Sequence, residues 1–257
     1  AAEAAMALSR YDLVVAMCQR ARLTDAALAW ACRLEAAARL GQRRPTLAME
    51  ALAGLKSALP RDAAAMELYA RAALAIGAES LVDELLAKDD ALAGQVGAAR
   101  GFLSAGRHEE AAARAGRLLE AHPEDAAIRR VHAEALRLVA EAGDAPKWEA
   151  AKVRAAIDAY DWLRRRDTAD PRVAQRIARL ELIGLAAPAI ALRSVKPLRD
   201  APLSARSVEM NETLGAVLIA NGVAGEALLA LDAVVAKAPA RAGGYIARAS
   251  AYEQLGR

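Results

Sequence analysis

Arginines in the middle of the chain are the residues whose type and spacing suggest a binding chemistry. Arg71 and Arg100 each follow a small residue at the same place in successive predicted pairs of helices. Arg130 and Arg137 are candidates to extend the row in the next pair, where Glu134 holds the matching place. A guanidinium binds a carboxylate through two parallel hydrogen bonds. The row is therefore a candidate site for an acidic peptide. The alternative is a solvated face of Glu–Arg pairs between helices, each contributing about 0–1 kcal/mol.

Two further clusters are candidates for contact with a partner. Trp148 and Trp162 lie in the most aromatic stretch of the chain and form either an exposed binding patch or part of the core, which is the commoner role at helical spacing. The basic triplet 164–166 is a candidate contact for nucleic acid or an anionic surface. Because Asp167 follows it and positive charge offsets the dipole at a helix carboxyl end, a structural role is favoured.

The residues do not form a catalytic or metal-binding pattern. His108, His122 and His132 have no second ligand at metal-binding spacing, and the two glutamates after His108 suit the first turn of a helix. The sequence has no glycine-rich phosphate loop, nucleophile elbow or paired catalytic carboxylates. We therefore expect a non-enzymatic protein with no catalytic residue, no cofactor and no metal ion.

The charge balance and hydropathy exclude several classes of protein. Lys and Arg number 35 against 32 Asp and Glu, a surplus too small and too dispersed for the concentrated basic face of a nucleic-acid-binding protein. No apolar run approaches the about 20 residues that span a membrane. We therefore expect neither nucleic-acid binding nor membrane insertion.

The compartment is left open by the sequence. The chain begins without methionine and both ends cut through a helical pattern, so we expect a fragment of a longer protein, cytoplasmic or periplasmic. Cys18 and Cys32 are either a disulfide or two buried helix residues, and the second interpretation is favoured because unpaired cysteine is commonly buried. The Ala, Arg and Leu bias suggests a bacterial source.

The elements that must position these residues are clearest in 207–256. One helical face carries Asn211, Leu214, Gly215 and Leu218, and Gly222 ends that helix. A second helix with an apolar stripe follows, and Pro239 ends it. The same spacing then starts again 34 residues later, at Tyr245, Ala249, Tyr252 and Gly256. This stretch therefore predicts a repeated pair of helices.

The pattern resembles the tetratricopeptide repeat, a helix–turn–helix unit with a period of about 34 residues. Glycines that would close the first helix of each unit are Gly41, Gly77, Gly106, Gly143, Gly184, Gly222 and Gly256. The six intervals between them average about 36 residues, near the family period. The resemblance implies an all-α, right-handed α-solenoid of stacked helix-turn-helix repeats, with a concave groove lined by the first helices.

We expect a single solenoid over 1–257. Its approximate units are 1–24 (partial), 25–61, 62–91, 92–125, 126–170, 171–206, 207–240 and 241–257 (partial). Helix caps are expected at Thr24 or Asp25, at Asp144 before a long helix reaching Arg166, and at Asp170 before Pro171. Pro197 should stop or kink the helix that contains it.

The resemblance implies a non-enzymatic protein–protein interaction scaffold that binds a peptide or partner domain in the groove. One alternative is an accessory repeat region of a larger enzyme or of a secretion or envelope complex. Another is helical-repeat RNA binding, which the small-residue, aromatic and proline pattern at Ala99, Phe102 and Pro123 disfavours.

The resemblance implies a protein or peptide as the partner. The arginine row suggests that an acidic segment of this partner lies along it, and self-association is left open. Some members of the family bind a chain terminus through lysine and asparagine, but this chain has Arg, Glu or Ala at those places. The inward face of the unit 207–240 is expected at Glu209, Glu212, Ala216 and Ile219, so it is acidic and apolar.

Overall fold

The computed structural model of this protein describes residues 2–21, 25–142 and 148–257. Those residues form helices and short connections, with no β-strand among them. Contacts divide the chain into two compact units, Ala1–Ala135 and Leu136–Arg257. The predicted all-α class is confirmed.

The first unit is a series of antiparallel helices joined by short turns. Its helices are α1 (Ala2–Ala7), α2 (Tyr11–Ala21), α3 (Asp25–Gly41), α4 (Pro45–Leu52), α5 (Ala63–Ala75), α6 (Ser80–Leu86), α7 (Leu92–Ser104), α8 (His108–Ala121) and α9 (Ala126–Ala140), the last of which extends into the second unit. Two 3-10 turns, Ala53–Leu55 and Leu59–Arg61, link α4 to α5.

The second unit continues in the same manner but is less regular. Its helices are α10 (Ala150–Arg166), α11 (Pro171–Arg179), α12 (Pro188–Ser194), α13 (Lys196–Asp200), α14 (Val208–Ala220), α15 (Ala224–Lys237) and α16 (Ala242–Gln254). A π-helical segment, Leu180–Gly184, extends α11, and a 3-10 turn, Leu203–Ala205, precedes α14.

Four of the spaced glycines end their helices in the same way. The left-handed backbone, with φ between 68° and 81°, occurs at Gly77, Gly106, Gly222 and Gly256. At Gly222 the amide of the following Val223 donates to the carbonyl of Leu218 at 2.9 Å, which satisfies a carbonyl left open by the end of α14. The same turn at the end of several first helices supports the repeat interpretation.

Two of the spaced glycines, Gly41 and Gly184, end helical segments as predicted but do not adopt the left-handed conformation. After α3 the left-handed residue is Arg43, with φ 58°, and not Gly41; after the π-helical segment it is Ala186, with φ 50°. Gly184 instead allows close packing, because a Cβ atom there would lie 2.8 Å from both methyl groups of Val153. Gly143 lies outside the described residues.

The predicted caps and breaks have mixed outcomes. Asp170 accepts a hydrogen bond from the Arg172 amide, with Pro171 at the first position of α11, as predicted. The helix around Pro197 is interrupted at Val195, between α12 and α13, which confirms the predicted break. Thr24 and Asp144 lie outside the described residues, and α10 begins at Ala150.

The core is built from small side chains, so helices approach closely. In the first unit, the closest approach is that of α7 to α5 and the turn before it, because Gly94, Gly97 and Gly101 of α7 face that surface. A Cβ atom on Gly97 would lie 2.3 Å from the carbonyl oxygen of Ala63. Alanine and glycine therefore let this core pack densely through close contact of helix backbones, whereas other cores fill the space between helices with large apolar side chains.

The cysteines belong to this core. Cys18 of α2 and Cys32 of α3 are both buried thiols and do not form a disulfide with each other. Cys18 packs in an apolar cluster with Val14, Val15 and Ala31. The favoured interpretation, two small buried helix residues, is confirmed.

Candidate functional site

The structure brings Arg71 and Arg100 to one contact between first helices. Arg71 follows Ala70 on α5, Arg100 precedes Gly101 on α7, and a Cβ atom on Gly101 would lie 2.5 Å from the Cβ of Ala70 and 3.4 Å from the Arg71 nitrogen. The two arginines therefore flank the same close approach of two backbones. Both side chains are partly buried.

Neither arginine has a carboxylate partner in the part of the chain that the structure describes. The acidic residue one turn before Arg71 is Glu67, and its Oε1 accepts a hydrogen bond from the Ser104 hydroxyl of α7 at 3.3 Å. A cavity of about 270 Å³ beside Arg71 is lined by Leu40, Leu74 and Ser104 among others. The nearby Arg107 is already paired with Glu79 and Glu110.

The other residues of the predicted arginine row, Arg130, Glu134 and Arg137, do not share one environment. Arg130 is exposed on α9, and Glu134, one turn later, is partly buried. Arg137 belongs to the second unit, where it is 6% exposed and pairs with Glu141. The structure therefore groups only Arg71 with Arg100 and gives Arg137 a buried ion pair.

A cavity of about 450 Å³ lies on the first helices of the second unit. Its lining comes from α9, α11, α14 and α16, and includes Glu209, Glu212 and Ala216, three of the four residues predicted to face inward on that unit. Ile219 is not part of the lining. The helical periodicity of the sequence was sufficient to predict these three positions, because they lie on the face of α14 opposite its apolar stripe.

The arginines of this cavity, unlike Arg71 and Arg100, pair across neighbouring helices. Arg179 of α11 pairs with Glu141 at 3.2 Å, and Arg241 pairs with Glu209 at 3.3 Å and with Glu212 at 2.8 Å. Glu141 also binds Arg137, so one carboxylate holds two guanidinium groups. Here the alternative of Glu–Arg pairs between helices describes the surface better than an open arginine row.

A neutral hydrogen bond lies in the same cavity. The Gln175 amide donates to the Thr213 hydroxyl at 2.9 Å, and both residues are buried. This bond joins α11 to α14, and a buried amide without it would lose a hydrogen bond worth about 1 kcal/mol. Sequence reasoning missed both residues, because 38 positions separate them and neither belongs to a recognisable motif.

Of the two interpretations of Trp148 and Trp162, the structure supports the core and not an exposed aromatic patch. Trp148 is only 8% exposed and packs near Gly184 and under the Arg179 guanidinium, whose carbon lies 5.8 Å from the ring centroid. Trp162 is partly buried, with the Arg166 guanidinium 4.3 Å from its ring. Burying the large apolar area of a tryptophan ring in this alanine-rich core stabilises the fold more than exposing the ring at the surface would.

The basic triplet lies at the carboxyl end of α10, as expected. Arg164 pairs with Asp161 at 2.8 Å, and Arg166 covers Trp162. Within the described ranges, no group of three or more His, Cys, Asp or Glu side chains is placed to hold a metal ion. The same ranges contain no helix whose length and apolar character would let it cross a bilayer.

The comparisons with known proteins concern the fold. No protein-family model matches the chain, and no curated protein matches it in sequence. The crystal structure of a tetratricopeptide repeat protein from Parabacteroides merdae is similar, with a TM-score of 0.55 over 98% of this chain and 96% of that chain, at 11% identity. The predicted tetratricopeptide-like helical-repeat fold is confirmed.

Proposed function

We propose that this protein is a non-enzymatic protein–protein interaction module whose first unit binds an acidic peptide segment of a partner. The proposal is supported by one observation above all: Arg71 and Arg100 flank one backbone contact and have no carboxylate partner among the described residues. A bound carboxylate would supply the missing partner and gain charge-assisted hydrogen bonds from these guanidinium groups.

The helical scaffold around these arginines favours binding. Both residues lie on helices whose backbones are held together by Gly94, Gly97 and Gly101, so little ordering of the site accompanies association. The neighbouring cavity, with Leu40 and Leu74 in its lining, provides apolar surface next to the charge. The partner segment is therefore expected to combine carboxylates with at least one apolar side chain.

The test is a binding titration with a defined acidic probe. A fluorescein-labelled peptide with alternating Glu and Leu residues is titrated with the protein by fluorescence anisotropy at several salt concentrations. The double variant Arg71→Glu/Arg100→Glu should bind about tenfold more weakly or worse, with a shallower salt dependence, because truncating desolvated charge pairs costs about 2 kcal/mol or more.

A matched control separates this site from general charge effects. Arg44 and Arg117 are exposed arginines of the same unit without a described partner, and Arg44→Glu/Arg117→Glu makes the same change in net charge. This control should retain affinity to within about twofold, since isolated surface charges contribute little. Equal loss in both double variants, or unchanged affinity for Arg71→Glu/Arg100→Glu, would show that the arginine pair is not the binding site.

A further inference from the structure

The second unit has a groove on its second helices, away from the residues discussed so far. It has a volume of about 770 Å³ and is lined by residues of α12, α13, α14 and α15. Its lining includes Leu192, Leu214, Leu218 and Ala230, but Leu214, Leu218 and Ala230 are almost fully buried, so the accessible apolar surface comes from the partly buried Leu192 and from Leu229. Leu229 lies at its edge and is 67% exposed.

The rim of this groove is rich in cations that differ in their contacts. Arg199 pairs with Glu226 at 2.6 Å, and Arg206 donates to the backbone carbonyls of Arg199 and Ala201, so both guanidinium groups are occupied by the fold. Burial lowers the pKa of Arg206 from its usual value. These two arginines therefore connect neighbouring segments of the chain at the rim of the groove.

Two other rim cations are available for a ligand. Arg193 of α12 and Lys196 of α13 are exposed, and in the described ranges neither lies within ion-pair distance of a carboxylate. They are three residues apart and lie on either side of the break at Val195. Arg193 also acts electrostatically on the buried Glu181 without forming an ion pair with it, so both cations keep exposed side chains beside Leu192 and Leu229.

We propose that this groove binds an acidic amphipathic helix of a partner protein. Leu192 and Leu229 contact leucine-type side chains at helical spacing, as in other helix-in-groove interfaces, and Arg193 and Lys196 bind carboxylates that flank them. The charges favour an acidic partner, because the rim carries four cations, Arg193, Lys196, Arg199 and Arg206, against two carboxylates, Asp200 and Glu226. This site does not rest on the acidic-peptide site proposed for the first unit.

The shape of the groove favours a helix over a small anionic amphiphile. Sites for small ligands enclose about 70–90% of the ligand surface. Here the rim residues Arg193, Lys196 and Leu229 are all exposed, so the groove is open along its length. An extended partner gains from such an opening, whereas a single alkyl chain would stay largely hydrated.

The experiment uses the full chain and a labelled amphipathic peptide of about 18 residues, with Leu at i, i+3, i+4 and i+7 positions and Glu beside them. Anisotropy titrations should show binding to the wild-type protein. Arg193→Glu/Lys196→Glu should weaken it about tenfold or more, because each repulsive pair replaces an attractive one. Leu229→Ser, at an exposed position, should weaken it by about threefold or more through lost apolar burial.

Two control variants keep the result specific. Arg154→Glu/Arg165→Glu changes two exposed arginines of α10 that have no described partner, and should leave affinity within about twofold. Arg71→Glu/Arg100→Glu should also leave it unchanged, so failure of one site is separable from failure of the other. Circular dichroism confirms that each variant is folded.

Three outcomes would overturn the proposal. They are no binding of the amphipathic peptide by the wild-type protein, an equal loss in the α10 double variant, and full affinity in Arg193→Glu/Lys196→Glu. A competition experiment addresses the other occupant: displacement of the peptide by monomeric dodecanoate would assign the groove to a small anionic amphiphile instead.

Discussion

Substitution of Gly97 by alanine tests the idea that the α5–α7 contact depends on the absence of side chains. A Cβ atom at this position would lie 2.3 Å from the carbonyl oxygen of Ala63 and 2.9 Å from its Cα. Both contacts are with backbone, which cannot rotate away as a flexible side chain can. The two helices must therefore separate, or α7 must bend.

The magnitude follows from two opposing effects. Overpacking of a core costs about 1–3 kcal/mol, and contact with rigid backbone places Gly97→Ala toward the upper end of that range. Alanine gains about 1 kcal/mol over glycine in helix propensity. The net loss is expected to be about 1–2 kcal/mol, which lowers the Tm by about 2–8 °C in a chain of this size.

A second glycine supplies the control with the opposite sign. Gly116 lies within α8, and a Cβ atom there would find its nearest neighbour, the Nε2 of His132, at 3.7 Å, an ordinary contact. Gly116→Ala should therefore stabilise the protein by up to about 1 kcal/mol through helix propensity alone. Urea and thermal unfolding followed by circular dichroism measure both variants. A Gly97→Ala protein as stable as Gly116→Ala would refute the reasoning.

Three other perturbations test separate features. Gly222→Ala, at a φ of 73°, should lose about 1 kcal/mol in urea unfolding, whereas Gly225→Ala, with open space around its Cβ, should not. Burial, reinforced by the Arg129 charge, lowers the pKa of His132 below 6.5, so its contribution to stability should be lost as the pH falls below that value. His132→Gln should flatten this part of the stability–pH curve, measured by thermal melts. Burial raises the pKa of Glu181 above 4.5, so its contribution is fully present below that pH and is lost as the pH rises through the folded-state pKa. Glu181→Gln should therefore stabilise the protein near pH 7 more than near pH 4, as judged by urea midpoints.

Local signals in the sequence predicted the helices well. The Asp170-Pro171 start of α11 needs only a side-chain acceptor and a missing N–H within one turn, so it can be predicted from two residues. Repeated spacing predicted the buried face of α14, where Asn211 and Leu218 are almost fully buried. These features depend on neighbours in sequence, which is why the sequence alone was sufficient.

Features that depend on distant contacts were not predictable in the same way. Gly184 ends the π-helical segment, as expected, but its close packing against Val153, which lies 31 positions earlier, was not predicted. Trp148 was an alternative surface residue and is buried beside that glycine. In both cases the deciding contact joins α11 and its π-helical extension to residues before Arg166, and no local pattern encodes it.

The same limit applies to the charged sites. Arg71 and Arg241 are both arginines on or at the start of first helices, yet Arg241 meets Glu209 and Glu212 of the preceding first helix, while the nearest acidic candidate for Arg71, Glu67, binds Ser104. Whether a carboxylate lies within reach depends on helix register and rotamer, which sequence spacing does not determine. Counting arginines therefore predicts a row of positive charge, but only the contacts distinguish structural pairs from binding groups.

The groove of the second unit shows how an irregular repeat can add a surface that a regular one lacks. In the last complete pair, α15 covers α14 with one continuous helix of 14 residues. In the pair before it, Pro197 follows the break at Val195, and the second element is two short helices of 7 and 5 residues. Leu214 and Leu218 of α14 stay almost fully buried beneath these short helices, and the exposed residues of the groove, Arg193, Lys196 and Leu229, belong to the two short helices and to α15. The break at Val195, next to Pro197, thus divides the rim of the groove between two short helices, with Arg193 on α12 and Lys196 on α13.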